Sequence, residues 1–344
     1  MNYEPEDTRN QYLEYAKRIR REDKMSEMSN QRKINNLGWL FIIIIAAYLI
    51  GGSILKYISS IGIEIPAMLI ILISEMLLLI PTVIYMIINK LNLRKDLGFN
   101  RIKLGTVFLS LLFGFTVIPV SSFINILSQF FVPNTMVQAS DSLTSGSSTV
   151  IILVGGIFGP LCEEFIFRGV FANEYSKYSS GIKAMIMSAL FFGLMHLNFN
   201  QFCYAFVLGM LFFVVNKASG STFSSFIAHA AVNIPNLVAI VLVNLFLKNS
   251  GAEVSLAESA ETLRNSNQLI IVAVVYFVLA IIFGAIGVLC LWGIARIEGR
   301  MQELKSIFAR KDKNHTDVED TKVLLNVSAI IAIVGTIIAI IVMA

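Results

Sequence analysis

The chain has 344 residues, 56% of them hydrophobic and 15% charged, with a formal net charge of +4 and a mean hydropathy of +0.73. Soluble domains run near about 45–50% apolar and about 25% charged, so this balance excludes an ordinary soluble enzyme. The Lys and Arg residues fall in a few patches rather than along a stripe, which points to membrane orientation and away from nucleic acid.

Residues 1–36 are polar and carry eight basic and seven acidic side chains. That mixture reads as a cytosolic tail, within which 11–25 has the pattern of an exposed, partly amphipathic helix. No apolar run begins before Leu37, so a cleaved signal peptide does not fit and the first helix is expected to be retained. Apolar segments then follow near 37–55, 66–88, 104–131, 149–167, 182–197, 201–216, 222–247, 268–294 and 323–343. Several exceed the roughly 18 apolar residues that mark a transmembrane helix. The expectation is an all-α polytopic membrane protein of about nine helices. It divides into the tail 1–36, three helices in 37–148, a core at 149–247, and two helices in 248–344 with a basic loop at 295–322.

The fifth and sixth segments are short for a bilayer that needs roughly 17–25 residues per span. They are expected to pair and to turn within the membrane at the polar stretch 198–201, a turn tolerated only where protein or a wet cavity surrounds it. Alternate connectors carry 24 Lys and Arg residues on one side and 3 on the other, which places the N-terminus in the cytosol. The Ile-, Lys- and Asn-rich composition suggests a bacterial cell membrane. No internal repeat of the transporter kind is evident. Cys162, Cys203 and Cys290 all lie in apolar stretches and form no CxxC pair, which argues against a disulfide framework or a thiolate zinc site.

Ionisable side chains inside membrane helices are expensive, so each is a functional candidate. The fourth segment carries Glu163, Glu164 and Arg168. Glu164 and Arg168 sit one helical turn apart and are expected to pair, which leaves Glu163 without a local partner and available as a general base. Pro160 can kink this helix, and Gly155 and Gly159 at GxxxG spacing suit close approach of a neighbour. The fifth segment ends in Phe192-Gly-Leu-Met-His196, and the seventh carries His229-Ala-Ala-Val-Asn233. The third histidine, His315, lies in the 295–322 loop. Glu75, alone in the second segment, reads as a protonated or hydrogen-bonded acid, with a substrate-cavity role as the less common alternative. Asn125 and Asn244 read as interhelical glue, and Cys162 as a buried thiol that makes a poor nucleophile.

Glu-Glu-x-x-x-Arg, Phe-x-x-x-His and His-x-x-x-Asn, in this order on successive helices, resemble the CAAX protease and bacteriocin-processing family, which includes the type II CAAX prenyl endopeptidases. The motifs span 163–233, and the resemblance extends over roughly 149–247. It implies an intramembrane endopeptidase with a cavity among the fourth to seventh helices, acting on a membrane-associated peptide or membrane protein. The substrate would be a prenylated CAAX-type peptide or a bacterial pheromone or bacteriocin precursor. By resemblance Glu163 activates the attacking water with help from His196, and His229 and Asn233 hold the oxyanion. Glu164 and Arg168 then support the structure or order the substrate. A metal-free mechanism is favoured, because HExxH is absent and no acceptor to orient either histidine is evident. Zn²⁺ held by Glu163, His196 and His229 is the alternative. The contrasting reading is a non-catalytic immunity or regulatory protein that binds a peptide or a sensor kinase.

Overall fold

The computed structural model describes residues 6–140, 147–250, 255–309 and 326–343, and no strand occurs among them. The helices are α1 (Glu6–Ser60), α2 (Ala67–Ile88), α3 (Leu104–Gln129), α4 (Ser148–Tyr178), α5 (Gly181–Leu194), α6 (Phe199–Ser219) and α7 (Thr222–Asn249). After these come α8 (Leu256–Arg264), α9 (Gln268–Glu298), α10 (Met301–Phe308) and α11 (Val327–Met343). A single helical turn, Thr135–Gln138, lies between α3 and α4. Seven helices are long and apolar enough to cross a membrane: α1 from Met28 onward, α2, α3, α4, α6, α7 and α9. α5 and α11 are apolar but shorter. Each of the nine apolar segments becomes a helix, and the chain is a polytopic helical membrane protein. His315 lies outside the described residues.

Three boundaries differ from the sequence expectation. α1 is one helix of 55 residues that runs straight through the change in composition at residue 36. α4 continues to Tyr178 rather than ending near 167, because Arg168 is buried and paired inside it instead of sitting in a connector. Arg168 therefore leaves the count of connector charges, which stays lopsided at 23 to 3. α6 has 21 residues and is not short, since Asn200, Gln201, Asn216 and Lys217 are helical. Those polar ends lower the hydropathy of the segment without breaking its hydrogen bonding. α5, by contrast, has 14 residues and rises about 21 Å, less than the roughly 30 Å of a hydrocarbon core.

Small residues set how the helices meet, as expected where lipid supplies no hydrophobic drive. A methyl group at Gly114 of α3 would overlap the Ala228 carbonyl and lie 2.5 Å from Ala231 Cβ, so α3 and α7 touch backbone to backbone. Gly209 of α6 packs on Ala189 and Gly193 of α5 packs on Phe202, which closes the α5–α6 hairpin. α11 belongs to the bundle as well: Ser328 lies against Gly38 of α1 and its hydroxyl donates to the Asn35 carbonyl at 2.8 Å. Phe41 of α1 stacks on Phe191 of α5 at 4.3 Å and meets Phe171 of α4 edge-on at 6.2 Å, building the apolar core beside the polar centre.

Candidate active site

α4 is not a uniform α-helix. Two wide π-helical stretches, Val154–Phe158 and Phe165–Ala172, flank the α-helical turns of Gly159–Glu164. Pro160 accounts for the first, because it has no N–H to donate and its ring crowds the carbonyl four residues back. The widened turn has a consequence for the glycines. A Cβ at Gly155 would meet Leu237 of α7 at 3.1 Å, whereas one at Gly159 would meet Glu75 Oε1 of α2 at 3.2 Å. GxxxG spacing suggested one close neighbour, and the wide turn gives two.

The α-helical turn between these stretches carries the two glutamates. Glu164 is fully buried, and its Oε1 lies 3.0 Å from Arg168 Nη1 and 3.0 Å from His229 Nδ1. A second Arg168 nitrogen, Nη2, donates to the Gly209 carbonyl of α6 at 3.2 Å. The guanidinium carbon lies 4.4 Å from the Phe192 ring centre and 5.2 Å from that of Phe212. Glu163 has no local partner on its own helix but is not alone: its Oε2 lies 3.5 Å from His229 Nε2. His229 thus bridges the two glutamates through its two ring nitrogens. Its ring stacks on Phe212 at 4.7 Å and meets Phe192 edge-on at 5.7 Å.

α7 is fixed at its start by a polar clamp. The Ser221 side chain caps the helix and donates to the Asn100 carbonyl at 2.6 Å. The Thr222 hydroxyl donates to the Leu97 carbonyl at 2.7 Å and accepts from Asn216 Nδ2 at 3.1 Å. One turn beyond His229, Asn233 Nδ2 donates to the Gly155 carbonyl in the first wide turn at 3.3 Å. One of its two N–H bonds remains for a ligand.

His196 lies just past the end of α5, where its Nδ1–H donates to the Phe192 carbonyl at 3.0 Å. That bond fixes the tautomer and leaves Nε2 as an acceptor. Among the described residues no ion pair joins His196 to Glu163; its link to the cluster is Phe192, whose ring centre lies 5.3 Å from that of His196. The next residue, Leu197, has φ +54°, a left-handed conformation that a non-glycine residue rarely adopts. Asn198 Nδ2 donates to the His196 carbonyl at 2.9 Å, and Asn198 Oδ1 caps α6 by accepting from Gln201 N at 2.8 Å. Asn200 is buried and donates to Asn125 Oδ1 and Ser128 Oγ of α3, both at 2.7 Å. Thr135 N donates to Asn200 Oδ1 at 3.2 Å, and the Thr135 hydroxyl to Asn198 Oδ1 at 3.1 Å.

The structure thus gathers Glu163, Glu164, Arg168, His229 and Asn233, with His196 set against Phe192. Both histidines have the orienting acceptor that the sequence did not reveal, Glu164 for one and the Phe192 carbonyl for the other. Sequence reasoning also missed Phe212, the Gly155 and Gly209 carbonyls and the amide cluster around Asn200. Phe192 was visible only as a motif position. Among the described residues no three His, Cys, Asp or Glu side chains gather into a group that could hold a metal.

Two carboxylates on one membrane helix, bridged by an imidazole from another and balanced by a buried guanidinium, define a polytopic membrane protein with an enclosed acid–imidazole site. A family model described as type II CAAX prenyl endopeptidase Rce1-like matches residues 145–235, the stretch that holds every one of these groups, and over this segment the chain is similar to that family. No curated protein and no solved structure matches the chain.

Proposed function

We propose that the chain is an intramembrane endopeptidase that hydrolyses a bond in a membrane-associated peptide with water activated by Glu163. The observation that carries this reading is the bridging imidazole, with Glu164 Oε1 at 3.0 Å on one nitrogen and Glu163 Oε2 at 3.5 Å on the other. It lies within the Rce1-like segment. A general base needs a carboxylate not consumed by a permanent cation, and Glu164 rather than Glu163 takes Arg168.

Glu163 removes one proton of the water, and His196 accepts a hydrogen bond from the other at Nε2. As the new C–O bond forms, the oxyanion is held by Asn233 Nδ2 and by the His229 ring. Glu164 holds that ring through Nδ1. When the C–N bond breaks, Glu163 delivers its proton to the leaving amine, and no covalent enzyme intermediate forms. The asymmetry of connector charges supports a cytosolic N-terminus, and the family description supports a CAAX-type or other membrane-anchored peptide as substrate.

The test is mass-spectrometric analysis of reporter peptides, prenylated and unprenylated, incubated with the purified chain in proteoliposomes. Cleavage at a defined internal bond supports the reading, and the fragments give its specificity. Intact peptides throughout, from a chain that still rescues its cellular phenotype, would instead favour the non-catalytic partner. Stoichiometric zinc, with activity lost to chelation and restored by the metal, would overturn the metal-free mechanism.

A further inference from the structure

Leu197 is strained, and it directly follows a residue of the site. A non-glycine side chain in the left-handed region costs of order 1–3 kcal/mol and persists only where its surroundings over-determine it. Here the surroundings are amides. Asn198 reaches back across Leu197 to the His196 carbonyl while its own oxygen caps α6. Asn200 ties the same turn to Asn125 and Ser128 on α3 and to Thr135 in the segment leading to α4. The turn lies where α5 is too short to reach the far side of a bilayer, so its backbone groups need protein partners in place of water. Capping alone would require only the Asn198 oxygen. Nδ2 also donates to Gln201 Oε1 in the first turn of α6, and its bond back to the His196 carbonyl is additional, fixing the peptide plane that aims the imidazole.

We propose that Asn198 is a positioning residue for His196, acting through its Nδ2 bond to the His196 carbonyl, with Asn200 anchoring the turn to α3. This rests on the proposed role of His196 in ordering the attacking water. It adds that the order depends on an amide in the turn between α5 and α6, and that a strained peptide stores the ring's orientation.

The experiment is a double-variant cycle on kcat in proteoliposomes, with Asn198→Asp, His196→Ala and the pair. Aspartate keeps the oxygen that caps α6 and removes the two Nδ2 bonds, to the His196 carbonyl and to Gln201 Oε1, and only the first depends on His196 for its effect on the rate. Asn198→Asp is expected to lower kcat about tenfold with KM unchanged. His196→Ala is expected to lower it about a hundredfold. In the His196→Ala background, Asn198→Asp is expected to change nothing further. An equal loss in both backgrounds would show a merely structural role, and no loss beside intact His196 would also overturn the proposal. If Asn198→Asp does not fold, Asn198→Ser, which also caps a helix but is too short to reach the carbonyl, takes its place under the same outcomes. A wild-type rate in His196→Ala alone would sink the wider reading of the site instead, so the two failures are distinguishable.

Discussion

Helices α4 and α9 each run for 31 residues, and hydropathy marks both as spans, at 2.0 for α4 and 3.1 for α9. Half of the apolar window of α4 is buried within the protein, against 11% for α9. α9 meets α3 through Gly287 and Gly293 and turns Val274, Ile281, Ile282 and Leu289 outward, where lipid would lie. Its cation, Arg296, sits in the last turn over Trp292 at 5.1 Å. α4 instead carries Glu163, Glu164 and Arg168 in its middle. The difference shows what permits chemistry in a membrane helix. An ionisable side chain there survives only if other helices bring it partners, because no water is on hand to solvate it. α5, α6 and α7 surround α4 and provide them, and a lipid-facing helix has no such option.

That contrast can be broken most severely at Arg168. Arg168→Met leaves Glu164 buried without its guanidinium and is expected to cost about 3–5 kcal/mol. Thermal unfolding in detergent measures it, and an unchanged Tm would mean that the pair does not hold α4 in place. Gly114→Val is expected to cost about 1–3 kcal/mol through overpacking, and it also pushes α3 away from α7 beside His229. Activity should therefore fall further than the loss of folded protein explains. Asn200→Leu strips Asn125, Ser128 and Thr135 of a buried partner at about 1–3 kcal/mol, and the same melting experiment reads it. At the other extreme, Ile282→Ala on the outward face of α9 is expected to stay within about 0.5 kcal/mol of wild type, with its activity unchanged. A large effect there would mean that α9 is covered by something other than lipid.

The nine apolar segments and the three motifs were legible in the sequence because hydropathy and i,i+4 spacing are local properties. The true length of α4 was not, because Arg168 looks like a connector charge until Glu164, Gly209, Phe192 and Phe212 are placed around it. α6 was misjudged for a similar reason: its polar ends are helical because Asn198 caps one and the buried Asn200 finds partners on α3. The bridge from His229 to both glutamates spans 65 positions to Glu164 and one more to Glu163, and no spacing rule reaches that far. Nor could the sequence announce a left-handed Leu197, a conformation imposed by amides from outside α5. Glu75 was visible as a lone acid, and its contact with Gly159 shows that it lies beside the same turn of α4 as Glu163.

The most direct test of the account is the single-turnover cleavage rate of Glu163→Gln beside wild type, in proteoliposomes and at matched thermal stability. The amide keeps the shape of the carboxylate and cannot take the proton of the water. The account predicts a loss of at least about a hundredfold with substrate binding retained. A variant that still cuts within a few-fold of wild type would contradict it, and would move the base off the buried turn of α4.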